Sequence, residues 1–162
     1  MAWLTVPSPV GDLVTVAEGT ALRRLSFGGA LPSGDPEPDH PVLRAVAEQL
    51  RAYFAGELTD FDLPLELRGS DFEMAVWAEL RRIPYGEMCS YGDIARAVAG
   101  DVGQSRAVGV ANHRNPIAIV VPCHRVIGAD GSSVGYGGGL ERKRFLLEHE
   151  LNVRFERGLL PI

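Results

Sequence analysis

Cys123, His124 and Arg125 stand in succession behind Pro122, at the end of the apolar run Ile117–Val121. An unperturbed thiol has a pKa of about 8.5 and is largely protonated at neutral pH. A nucleophilic cysteine therefore needs an imidazole to take its proton or a cation to stabilise its thiolate. The two residues after Cys123 are of those two types. A buried structural cysteine closing an apolar strand fits the same residues. Adjacency alone does not pair Cys123 with His124, because neighbours on a strand point to opposite faces; a turn at this point removes that objection. Glu148 and Glu150 carry the charge needed to orient an imidazole, although charges on a helix are commonly solvated. Cys89 has no flanking His or Arg and reads as structural. The two cysteines lie 34 positions apart with no CxxC, which argues against a disulfide framework and against a zinc site.

The elements that must hold these residues begin with short β-like runs at Ala2–Val6, Leu13–Ala17 and Leu22–Phe27, broken by Pro7-Ser8-Pro9 and Glu18-Gly19-Thr20. They predict a small antiparallel sheet. A proline-rich connection, Leu31–Pro38, leads to a helix that Asp39 caps and Pro41 opens, with Val42, Val46, Leu50, Tyr53 and Phe54 at helical spacing before Gly56. Phe61–Leu67 alternates like a last strand or an extended linker. Ser70 and Glu73 then form a capping box, and a second domain begins there. Its first helix sets Phe72, Val76, Leu80 and Ile83 on one face until Pro84-Tyr85-Gly86 breaks it. Ser90 caps a helix over Tyr91–Ala99, Gly100–Gly103 turns the chain, and Ser105–Asn112 forms a second helix of small residues, a pairing compatible with a helix-turn-helix. Ile117–Val121 reads as a buried strand with Cys123 where it runs out. Gly128–Gly139 reads as loop and Leu140–Leu151 as a closing helix. The expected fold class is thus α+β, with an N-terminal α/β domain and linker over residues 1–69 and a mainly helical domain over 70–162.

At 162 residues, 46% apolar and 23% charged, the chain can bury a core, which excludes global disorder and fibrous classes. No run approaches the roughly 18 apolar residues of a membrane span. The N-terminus lacks a basic stretch followed by an apolar core, so the cytoplasm is the expected compartment. The net charge of −5 is unevenly spread. Up to residue 103 there are 8 Arg against 16 acidic residues, a net −8; from residue 104 there are 7 Arg and one Lys against 5, a net +3. A local DNA contact suits that second part, and a wide electrostatic footprint does not.

Pro122-Cys123-His124-Arg125-Val126 behind an Ile/Val run, with Asn115-Pro116 ahead of it, resembles the active-site signature of the O6-alkylguanine-DNA alkyltransferases. Phe72–Tyr91, Ser105–Gly109 and Gly135–Glu150 extend the likeness in the right order from about Asp71 to Glu150, roughly half the chain, whereas the N-terminal part matches in size and coarse pattern. The resemblance implies a ribonuclease-H-like fold for the N-terminal domain and a single-turnover repair activity in which Cys123 takes the alkyl group from O6 of guanine. It implies that His124 acts through a water as base, that Glu150 fixes the imidazole and that Asn115 braces the turn. Tyr91 would protonate N3 of the leaving guanine. The carbonyls of Cys123 and Val126 would accept from its exocyclic amine, and Tyr136 and Gly137 would wall the pocket. The second helix of the pair would enter the minor groove of double-stranded DNA. There Arg106 would fill the place of the flipped nucleotide, Ala107, Gly109 and Ala111 would permit close approach, and Arg125 would add to the DNA contact. No cofactor and no metal is expected, and a monomer suffices.

The chain departs from the pattern in three ways. Gly137 stands where some relatives carry a serine, so only its backbone N–H can serve O6. His113 occupies a place where relatives carry glycine or arginine beside the phosphates. The N-terminal cysteines of zinc-bearing relatives are missing between Met1 and Glu73. Three other readings compete. A lesion-binding protein without transfer would lack the reactive cysteine, a helix-turn-helix regulator would need no Cys-His site, and a cysteine hydrolase would need a peptide cleft.

Overall fold

Three strands, β1 (Ala2–Val6), β2 (Leu13–Glu18) and β3 (Ala21–Phe27), form an antiparallel sheet in the order β1-β2-β3. Ala2 pairs with Ala17 and Val6 with Leu13; on the other side Leu13 pairs with Phe27, with a register shift at Val16/Ala17. β2 is buried from Leu13 to Ala17, as the middle strand of a sheet covered on its faces must be. One face receives α1 (Pro41–Phe54), which turns Val42, Leu43, Val46, Leu50 and Tyr53 inward. Its cap is His40 and not Asp39: Pro41 takes the first helical position, so the residue before it caps, and His40 Nδ1 accepts from the Val42 N–H at 3.2 Å. The 61–67 stretch is extended, with Leu65 bridging Leu22 in parallel.

The computed structural model describes residues 1–128, 136 and 138–158, and these fall into two units. The first is Met1–Leu67 with Pro116–Ala118; the second is Arg68–Asn115 with the chain from Ile119 onward. The expected strand Ile117–Val121 does not form. Only Ile117 makes a bridge, to Leu25, and residues 118–120 turn. Ile119 adopts φ 70°, the left-handed region that a β-branched residue enters only under constraint. All of Ile117, Ala118, Ile119 and Val121 are buried, and a buried turn yields the same unbroken apolar run as a buried strand.

The second unit begins with α2 (Asp71–Leu80), closed by the capping box: the Glu73 N–H donates to Ser70 Oγ at 3.1 Å and the Ser70 N–H to Glu73 Oε1 at 2.9 Å. Ser90 and Asp93 repeat the device, both bonds at 3.0 Å, at the start of α3 (Tyr91–Ala99). Gly100 ends α3 in the left-handed conformation, a short 3-10 turn (Val102–Gln104) follows, and α4 (Ser105–His113) packs on α2 and α3. Trp77, almost fully buried, donates from Nε1 to the Ala111 carbonyl oxygen and ties α2 to α4. Two short parallel strands, β4 (Cys89–Ser90) and β5 (Val126–Ile127), set the start of α3 beside the Cys123 turn. The closing helix, α5, runs Leu140–Glu156, beyond the expected Leu151. Among the described residues no helix is long and apolar enough to cross a membrane.

Candidate active site

Cys123–Arg125 is a single 3-10 turn leading into β5, so Cys123 and His124 do not alternate across a sheet. The turn is held from below by two asparagines. Asn115 Nδ2 donates to the Val121 carbonyl oxygen at 2.8 Å, tying off the 115–121 segment, and Asn112 Nδ2 donates to the Cys123 carbonyl oxygen at 3.3 Å. The Val126 N–H also donates to the Cys123 carbonyl oxygen. That oxygen, expected to accept from a substrate amine, thus already accepts twice, and a carbonyl has two lone pairs.

His124 is fully buried, and its Nε2 lies 2.7 Å from Glu150 Oε2 on α5. The other oxygen, Oε1, accepts from the Gly86 N–H at 3.0 Å. Burial pushes the imidazole below its ordinary value, and the Arg125 and Lys143 charges push the same way against the pull of Glu150, so the ring is neutral near pH 7. Burial by itself would raise the Glu150 carboxyl. The hydrogen bonds from His124 and Arg125, together with the Arg125 charge, outweigh it and hold the group well below the usual carboxylate range. A carboxylate at Nε2 fixes the proton there and leaves Nδ1 as the basic nitrogen. Nδ1 is buried with no hydrogen-bond partner among the described residues.

The Cys123 thiol is pushed up by burial, while the neighbouring Asn115 and Tyr136 side chains and the Lys143 charge act in the opposite direction. Lys143 is a residue that reading the chain did not single out. Fully buried on α5, it is the only lysine of a chain that otherwise uses arginine, which is the signal that marked it. Its Nζ donates to the Val126 carbonyl oxygen at 2.5 Å and stands 5.9 Å from the ring centroids of both Tyr91 and Tyr136. Tyr91, first residue of α3, is raised by burial and by its nearness to Cys123, with Asn112 within hydrogen-bond reach. Tyr136 is raised further for the same two reasons.

Cys123, His124, Glu150, Asn115, Tyr91, Tyr136 and Val126 therefore meet in one place. Gly137 lies outside the described residues. A cavity of about 730 Å³ opens beside Tyr91, lined by Ser90 and Gly92 and, on α4, by Arg106, Gly109, Val110 and His113. Arg106 is exposed at the first turn of α4, and Ala107 is half-buried. Two residues expected to contact DNA face elsewhere. Ala111 is buried under Trp77, because three residues on from Val108 it shares the inner face of α4. Arg125 is buried with its guanidinium forked onto Glu150, because the 3-10 turn points it into the unit and not outward. Among the described residues no cluster of three or more His, Cys, Asp or Glu is arranged to hold a metal ion.

Residues 71–152 match the family described as 6-O-methylguanine DNA methyltransferase, DNA binding domain, and residues 1–67 match 6-O-methylguanine DNA methyltransferase, ribonuclease-like domain. The likeness thus extends into the N-terminal unit. The chain is 51% identical over 151 residues to the methylated-DNA–protein-cysteine methyltransferase of Mycobacterium bovis, with 90% of each chain covered. It is 44% identical over 154 residues to the protein of that name from Methanosarcina acetivorans, covering 93% of this chain and 98% of the relative. Among solved structures, the Mycobacterium tuberculosis OGT in complex with DNA superposes with a TM-score of 0.86 at 49% identity, covering 94% of each chain.

Proposed function

The chain belongs to the 6-O-methylguanine DNA methyltransferase family, and from that premise we propose that it repairs DNA by drawing the alkyl group from O6 of guanine onto Cys123. Methyl transfer from methylated DNA to a protein cysteine is the activity that its relatives' name states. The observation that carries the choice of atoms is the Glu150–His124 pair, 2.7 Å long and fully buried, set one residue from a thiol that Tyr91 and Tyr136 flank. Neither a structural cysteine nor a regulator has use for that arrangement.

Sγ of Cys123 attacks the alkyl carbon. The S–C bond forms as the C–O6 bond breaks, and the electron pair of that bond leaves with the guanine. The thiol proton goes to Nδ1 of His124, directly or through a water, because Nε2 is committed to Glu150. Tyr91, protonated at neutral pH because burial raises it, gives its proton to N3 of the departing guanine and recovers one from the imidazolium by way of solvent. Protons and electrons balance with no cofactor. The product thioether is too stable to be discharged by hydrolysis, so each molecule acts once.

We read α4 as the helix that enters the minor groove. Gly109 in the cavity wall allows close approach, Ala107 flanks it, and the exposed Arg106 takes the space an extruded nucleotide leaves. Extrusion costs a few kcal/mol, which an inserted side chain and backbone contacts offset.

The test is intact-protein mass spectrometry after incubation with duplex DNA carrying one O6-methylguanine, followed by peptide mapping, with Cys123→Ala as control. The expected result is one methyl group per protein, on the peptide bearing Cys123, and none on the variant. A wild-type protein that shifts the damaged duplex yet stays unmodified would replace transfer with lesion binding.

A further inference from the structure

Arg125 is buried, and each of its three guanidinium nitrogens has a hydrogen-bond acceptor inside the unit. Nε donates to Glu150 Oε1 at 2.8 Å and Nη2 to Oε2 at 3.1 Å, a two-point pairing that covers both carboxylate oxygens. Nη1 donates to the Ile83 carbonyl oxygen at 2.7 Å, and the guanidinium lies over the Tyr85 ring, 5.6 Å from its centroid. The Pro84–Glu87 turn completes the clamp, since the Gly86 N–H donates to the same carboxylate and Arg154 Nη1 donates to the Gly86 carbonyl oxygen at 3.2 Å. Four bonds thus converge on Glu150, and only one of them is to His124.

That surplus has a physical consequence for the imidazole. A buried carboxylate facing a histidine alone favours the imidazolium, since opposite charges in a low-dielectric interior stabilise each other. A base that already carries its proton cannot take one from a thiol. A carboxylate matched by a guanidinium still orients Nε2–H by hydrogen bonding, yet presents little net charge. We propose that Arg125 is a positioning residue of the alkyl-transfer site: by pairing both oxygens of Glu150 it lets the carboxylate orient His124 without converting it to the cation, so that a neutral imidazole meets the Cys123 thiol. This rests on the proposed role of His124 as base. The other ionisable groups facing the His124–Glu150 pair are Lys143 from α5, Cys123 and Arg125 from the 3-10 turn, Tyr85 from the turn after α2, and Tyr136. Arg154 and Arg157 approach from the far end of α5. Arg125 contacts the carboxylate through two of its nitrogens, one on each oxygen.

The test compares wild type, Arg125→Met and Arg125→Lys by the pH dependence of single-turnover methyl transfer and by 15N NMR titration of the His124 ring. Loss of the charge is expected to move the acid limb of the rate profile and the ring titration upward together, by about one pH unit or more. The lysine variant, which keeps the charge and loses the fork, should leave both close to wild type. A rate that drops by one factor at every pH, with an unmoved ring titration, would show a purely structural arginine and overturn the proposal. Should Arg125→Met fail to fold, the wild-type ring decides: a His124 that titrates above the ordinary value of about 6.5 with Arg125 in place is incompatible with it. A wild type that transfers no methyl group would defeat the repair reading, while the ring titration would still judge Arg125.

Discussion

Lys143 reaches across from α5 to donate to the carbonyl oxygen of Val126 at 2.5 Å, joining the closing helix to the strand that leaves the Cys123 turn. The bond also fixes a buried ammonium between two aromatic rings, close enough to the thiol to favour its anion. A lysine suits this place and an arginine does not, because a compact charge fits between the Tyr91 and Tyr136 rings where a planar fork would need more room. Val126 was expected to offer its carbonyl to the substrate; one of its two lone pairs is already spent on Lys143.

Replacing Lys143 by methionine should therefore move the alkylation of Cys123 to higher pH. The sign follows from the charge: a cation stabilises the thiolate, so its removal raises the thiol further above its ordinary range. The check is the rate of reaction of Cys123 with a small neutral alkylating agent across pH, read by mass spectrometry, in the two proteins. An unchanged profile would mean that the ammonium only holds the backbone.

Glu150→Gln should slow transfer more than it weakens DNA binding, as compared by single-turnover rates and by titration of a damaged duplex. It should also destabilise the fold by on the order of 3 kcal/mol, because Arg125 is left as a buried charge without its counterion. The pH dependence gives a second reading. The folded carboxyl lies below its unfolded value of about 4.3, so its contribution is complete above that pH and is lost as pH falls below it. Urea midpoints between pH 6 and pH 3 should accordingly fall less steeply in the variant than in wild type.

What could be read from the chain was local. The Ser70/Glu73 box is a pattern four residues long, and it forms; Ser90 caps α3 as read, and the structure adds Asp93 as its reciprocal partner. The three N-terminal strands follow from short β-rich runs between breakers, and α1 from its apolar spacing. What escaped was decided by distant partners. Arg125, expected in the DNA contact, instead has its partner 25 residues ahead on α5 and its carbonyl acceptor 42 residues behind. Ile117–Val121 looked like a strand since burial, and not pairing, governs its composition. The left-handed turn at Ile119 has no signal in an isoleucine, which ordinarily avoids that conformation.

Gly86 offers a test of the clamp's backbone. Its φ of 75° lies in the region that favours glycine, and an added Cβ would meet Arg154 Cδ at 2.0 Å. Gly86→Ala should cost about 1–3 kcal/mol in stability. It should also slow methyl transfer, because the N–H that holds Glu150 Oε1 must shift with the turn. A thermal melt and a transfer rate both equal to wild type would show that the turn tolerates a side chain and that the clamp does not depend on it.

Arg106 separates extrusion of the base from the chemistry performed on it. The residue is exposed at the start of α4, in the wall of the cavity and outside the Glu150–His124–Cys123 group. If it fills the gap left by a flipped nucleotide, Arg106→Ala must lower the rate with a damaged duplex while sparing the rate with the free base O6-methylguanine, which needs no extrusion. Extrusion worth a few kcal/mol sets the expected loss on duplex at about tenfold or more, since each 1.4 kcal/mol is a factor of ten. Equal losses on both substrates would place Arg106 in the chemical step, and no loss on either would remove it from the interface.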